Sequence, residues 1–113
     1  MSGISTHVLD TSAGRPAAGV VVTLARANAD EWKTLSTMQT DSDGRCRQLL
    51  PSGTPLAPGQ YRIRFDTGAY YASQSLEGLY PFVEITFVVR ESDEHLHIPL
   101  LLTANGFTTY RGS

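Results

Sequence analysis

Apolar residues along this chain recur mainly at every second position, in short runs cut by Gly, Pro, Asp and Asn. That period marks strands with one buried face. In ISTHVLD (4–10), Ile4, Thr6 and Val8 share one face, and Ser5, His7 and Leu9 the other. The β-branched run VVVTLARA (20–27) reads as a second strand, and the segment from Trp32 to Thr40 as a third. GQYRIRFD (59–66) sets Tyr61, Ile63 and Phe65 against Arg62 and Arg64. FVEITFVVR (82–90) groups Val83, Ile85, Phe87 and Val89, and HLHIPLLL (95–102) groups Leu96, Ile98, Leu100 and Leu102. TANG (103–106) then leads into a last run, FTTYRG. TSAGRPAAG (11–19) and DSDG (41–44) read as loop and turn. One segment departs: TGAYYASQSLEG (67–78) has helix formers and few β-branched residues. It predicts a short helix with Thr67 as N-cap and an end near Gly78. Many short strands at regular spacing predict an all-β sandwich.

At 113 residues the chain suffices for one core, so a single domain over residues 1–113 is expected. A net charge of −2 argues against nucleic acid as the main partner, because phosphate binding needs clustered Lys and Arg. No run is long enough to span a bilayer. The segment MSGISTHVLD has neither the basic start nor the apolar run of a signal peptide, so the expected location is the cytoplasm. Cys46 is the only cysteine, which excludes an intrachain disulfide. Lys33 is the only lysine, and the remaining basic residues are arginine. Arginine suits forked recognition of oxygen atoms, although genomic base composition gives the same bias.

Two histidines stand on unexpected faces. His97 shares its side of HLHIPLLL with His95, Pro99 and Leu101, opposite the leucine-rich core face. His7 shares its side with Ser5 and Leu9, opposite Ile4 and Val8. An isolated outward histidine is most often a solvated surface residue. H-x-H on a strand also offers two ligands to a metal, but no third ligand stands at an evident spacing. No metal site and no cofactor are expected.

The stretches THVLDTSAGRPAAGVVVTL, TDSDGR and HLHIPLLLTANGFTTYRGS together resemble the 5-hydroxyisourate hydrolases, the transthyretin-like enzymes of urate breakdown. The resemblance runs along essentially the whole chain. The closing Y-R-G-S is the hallmark that separates these enzymes from transthyretin, the hormone carrier on the same fold. The resemblance implies a transthyretin-like β-sandwich of two four-stranded sheets, eight strands in all, with one short helix. It implies a homotetramer, a dimer of dimers, with active sites where the dimers face each other. An outward histidine face then becomes the wall of a channel. Carried over residue by residue, His7 and His97 match the catalytic histidines. Arg45 matches the substrate-contacting arginine, and Tyr110, Arg111, Gly112 and Ser113 match the closing tetrapeptide. Within that set, Tyr110 and Arg111 are substrate contacts, while Ser113 brings a hydroxyl and a carboxylate. Where the family commonly has an aromatic between the two histidines of H-x-H, this chain has Leu96 on the core face.

The chemistry implied is the opening of a flat, oxidised purine at an amide bond, giving 2-oxo-4-hydroxy-4-carboxy-5-ureidoimidazoline. It requires an activated water, stabilisation of an oxyanion, and a proton for the departing nitrogen. Histidine serves as base or acid near neutrality, and an arginine fork offsets developing negative charge. Which histidine activates water stays open at this stage. Arg45 alone also reads as a turn-flanking charge, and Arg111 as a partner for an acid on a neighbouring strand. A small-ligand carrier on the same fold is the competing function.

Overall fold

The alternation along the chain becomes two facing sheets. The computed structural model describes residues 3–113. Its strands are β1 (Gly3–Asp10), β2 (Arg15–Pro16), β3 (Val21–Asn28), β4 (Glu31–Gln39), β5 (Arg45–Cys46), β6 (Gly59–Phe65), β7 (Val83–Val89), β8 (His95–His97), β9 (Leu100–Thr103) and β10 (Gly106–Thr109), with one helix, α1 (Thr67–Ser73). One sheet has the order β4-β3-β6-β7, antiparallel throughout. The other is built on β1. Strands β8 and β9 run parallel to it, β2 and β5 run antiparallel to it, and β10 pairs β9.

The second sheet thus has six strands rather than the expected four. The surplus is fragmentation. β8 and β9 are one run of chain broken at Ile98 and Pro99, since proline has no N–H for the ladder. β2 and β5 are two short segments that each pair a part of β1. The sandwich and its single helix are as expected.

The core lies between the sheets. Ile4, Val8, Leu96, Ile98, Leu100 and Leu102 face Val22, Leu24, Tyr61, Ile63, Phe65 and Val83, all buried. Apart from Val22 and Leu24, whose strand is read without faces, these are the residues that period-two reading puts inward. At the far end of β1, the buried Asp10 accepts a hydrogen bond from Tyr70 Oη at 2.8 Å, which ties α1 to the sheet.

The helix is shorter than expected and differently capped. Asp66 occupies the N-cap position without a side-chain cap bond, and its carboxylate takes Arg64 Nε at 3.0 Å instead. Thr67 Oγ1 donates to the Tyr80 carbonyl. The helix stops at Ser73 because Ser75 adopts a left-handed φ of 59° and the following N–H groups fold back onto Tyr71 and Ala72.

Candidate functional site

Three neighbouring strands build one surface. β1 puts Ser5 and His7 outward. Arg45 on β5 lies directly opposite His7, and His97 on β8 directly beside Ser5. In an antiparallel ladder, opposed residues point to the same face. His7 and Arg45 are therefore neighbours by register, while Thr6 and Cys46, the next pair, turn into the core. Burial pushes the Cys46 thiol up to about 11, with Asp41 adding to it, so this cysteine is no nucleophile.

The turn before Arg45 is fixed from several sides. Asp41 Oδ1 accepts the N–H groups of Asp43 and Arg45 at 2.9 and 3.0 Å. Those bonds, that from Arg45 first, hold the Asp41 carboxyl below its ordinary value. Gly44 has φ of +77°, and a Cβ there would stand 2.3 Å from the Val8 carbonyl oxygen. Only glycine lets the turn lie this close to β1. His7 Nε2 lies 2.8 Å from the Asp43 carbonyl oxygen. A carbonyl only accepts, so His7 Nε2 is the donor and Nδ1 is left free of that bond.

Ser5, Thr6, Arg45, Arg47, His95, His97 and Ser113 line a concave site of about 290 Å³. Ser5 Oγ lies 2.8 Å from His97 Nδ1 and 2.9 Å from His95 Nε2. The His97 pKa is lowered below its ordinary 6.5, first by burial, then by the Arg45 guanidinium and the His7 and His95 rings. It is therefore neutral at pH 7, a base rather than an acid in the resting state. Among the described residues, no three His, Cys, Asp or Glu side chains converge as a metal site.

The final segment reaches this pocket by continuing a ladder. Gly112 bridges His97 in antiparallel fashion, in the register of β9 and β10, and its N–H donates to the His97 carbonyl at 2.8 Å. A Cβ on Gly112 would stand 2.6 Å from His97 Cδ2 and 3.2 Å from Pro99 Cγ, so no larger residue fits. Ser113 is thereby brought to the histidines. Tyr110 and Arg111 are not. They line a separate, more apolar groove with Ile85, Phe87, Leu96 and Ile98. Tyr110 is 54% exposed. Arg111 Nη2 donates to Asp93 Oδ1 at 3.1 Å. Within one chain, then, the structure gathers Arg45, His97 and Ser113 with His7 alongside, and sets Tyr110 and Arg111 apart.

Ser5, Thr6 and Arg47 belong to the pocket although the sequence reading did not single them out, and His95, weighed there only as half of an H-x-H metal pair, belongs to it too. Parity held the signal: Ser5 shares a face with His7, His95 with His97, and Arg47 with Arg45. What parity lacks is the register that sets Ser5 beside β8.

Comparison with known proteins adds an independent line. The model of the HIUase/Transthyretin family matches residues 4–112. The 5-hydroxyisourate hydrolase of Salmonella typhimurium is 43% identical over 110 residues, covering 97% of this chain and 80% of that protein. The structure of Klebsiella pneumoniae 5-hydroxyisourate hydrolase superimposes with a TM-score of 0.87 at 39% identity, covering all of both chains. Sea bream transthyretin in complex with thyroxine superimposes with a TM-score of 0.88 at 28% identity, covering 96% of this chain and 93% of that one.

Proposed function

The chain belongs to the HIUase/Transthyretin family, and from that premise we propose that it hydrolyses 5-hydroxyisourate to 2-oxo-4-hydroxy-4-carboxy-5-ureidoimidazoline in urate breakdown. The observation that carries this reading is the convergence of His97, Arg45 and Ser113 on one concave surface, with His7 at its edge. A carrier needs an apolar cleft with a few orienting groups. This pocket instead offers a neutral imidazole, guanidinium groups and a hydroxyl.

The geometry supports a role for each residue. His97, neutral at pH 7, takes a proton from water at Nε2, since Nδ1 is engaged by Ser5. The resulting hydroxide adds to the ring carbonyl. Arg45 stabilises the oxyanion. His7 presents Nδ1 and accepts a hydrogen bond from the substrate, which orients the ring. As the C–N bond breaks, His97 returns the proton to the departing nitrogen. Ser113 closes the pocket beside His97. Both histidines and Arg45 carry the chemistry without a metal or cofactor. Tyr110 and Arg111 are substrate contacts made across a subunit boundary in a homotetramer, a dimer of dimers whose active sites lie where the dimers meet. Their exposure on this chain favours that placement. The assembly is a single hydrolase domain per chain, acting in the cytoplasm. No helix among the described residues is long and apolar enough to cross a membrane.

The test is turnover. Urate oxidase generates 5-hydroxyisourate, and its absorbance decay is followed with this protein at a small fraction of the substrate concentration. Complete, accelerated decay supports hydrolysis. Binding of one ligand per site with unaltered decay supports the carrier instead.

A further inference from the structure

Ser5 stands between two imidazoles. Its Oγ is within hydrogen-bond distance of His95 Nε2 and His97 Nδ1 at once. A hydroxyl has one proton and two lone pairs. It cannot donate to both rings, so at least one ring must donate to it. The protonation states of the two histidines are therefore tied together.

The surroundings give this tie a direction. His97 faces Arg45 and His7, with Arg47 and Ser113 in the same pocket. No Asp or Glu side chain lines that pocket among the described residues, and the one carboxylate there, that of Ser113, is outnumbered by the guanidinium groups of Arg45 and Arg47. An imidazolium at His97 would sit half-buried beside a guanidinium. His95 is the more exposed of the two rings, and water solvates a charge better than a protein pocket does.

Resting on the hydrolase reading, we propose that Ser5 is a proton relay between His97 and His95, and that His95 stores the proton taken from water. Before reaction, neutral His97 donates Nδ1–H to Ser5 Oγ, and Ser5 donates its hydroxyl proton to His95 Nε2. His97 Nε2 then removes a proton from the attacking water, whose oxygen bonds to the ring carbonyl. In the same step the Nδ1 proton passes to Ser5 and the Ser5 proton to His95. His97 ends neutral with Nε2–H, and His95 is cationic. The transfers reverse as Nε2–H protonates the departing nitrogen and the C–N bond breaks. One water is consumed and the relay regains its starting state. Ser5 and His95 act through His97 and are positioning residues.

The experiment compares Ser5→Ala, Ser5→Thr, His95→Gln and the double variant Ser5→Ala/His95→Gln. Ser5→Ala and His95→Gln should each lower kcat by about 10²-fold, the low end of an acid–base contribution, with KM unchanged. Ser5→Thr should restore most of the rate, and the double variant should be no slower than the slower single one. Wild-type kcat in Ser5→Ala, or losses that multiply in the double variant, would overturn the relay. Should Ser5→Ala fail to fold, Ser5→Thr and His95→Gln still decide. A second arm needs no substrate: nitrogen-15 NMR of the imidazoles. Protonation of His95 should shift the His97 Nδ1 signal in wild type and not in Ser5→Ala. Independent titration in wild type removes the relay while leaving the hydrolase reading intact. A wild-type protein with coupled rings but no turnover removes the hydrolase reading instead.

Discussion

His97 is where sequence and environment meet most directly. Its place on the outward face was legible from the alternation of Leu96, Ile98, Leu100 and Leu102. Its protonation state was not, because burial and the neighbouring Arg45 depend on register. The lowered pKa has a definite consequence. The neutral, active ring persists as pH falls until the lowered value is passed, so the acid limb of kcat/KM should lie below pH 6.5. A pH–rate profile with its acid limb above 6.5 would remove His97 as the base. His97→Asn should cost roughly 10²–10⁴-fold in kcat, the range for acid–base groups, and His7→Asn about 10²-fold through lost orientation of the ring, both with unchanged assembly. Tyr110→Phe should be milder, since the ring stays and only the hydroxyl is lost. Tyr110 also marks a limit of parity. Alternation says which face a residue takes, but not which of two pockets on a rim it enters, and here the phenol lies apart from the histidines of its own chain.

At the scale of elements, the final segment is a strand interrupted once. β10 ends at Thr109, opposite Leu100. The next position would pair with Pro99, which has no N–H to give. Pairing then resumes at Gly112 and His97 in the same register. The sequence showed the alternation through Arg111 and a glycine before the last residue. The need for that glycine appears only in three dimensions, where a Cβ would meet His97 Cδ2 at 2.6 Å. Gly112→Ala should therefore displace Ser113 or tilt His97. Hydrolysis should fall by at least an order of magnitude, while overpacking at this rim costs about 1–3 kcal/mol of stability. Thermal unfolding beside a rate measurement separates the two effects, and full activity in this variant would show that the tail is not set by that contact. Helix α1 illustrates the opposite case. Composition revealed that a helix exists, but its end at Ser73 is fixed by a left-handed Ser75 that no residue preference announces. The short β2 and β5 were likewise illegible, since two residues carry no period.

At the scale of the molecule, the sandwich leaves apolar groups uncovered. Val88, Phe107 and Tyr110 are exposed near β7 and β10, and Leu101 is half-buried on the histidine face. Among the described residues no strand pairs the outer edge of β7 or of β10. Free edges and apolar rims of this kind invite pairing between copies. Sedimentation at micromolar concentration should give about four chains per particle in a closed assembly. A stable and fully active monomer would contradict the shared site. Likeness of fold alone does not decide between hydrolysis and carriage, because both hydrolase and transthyretin structures superimpose on this chain. The pocket residues carry that decision. The most direct measurement is the decay of 5-hydroxyisourate under matched concentrations of wild-type protein and His97→Asn, both shown to be folded and equally assembled. Rapid decay with wild type and a rate near the uncatalysed background with the variant is the expected result. Equal rates for the two proteins, fast or slow, would contradict a hydrolytic site centred on His97.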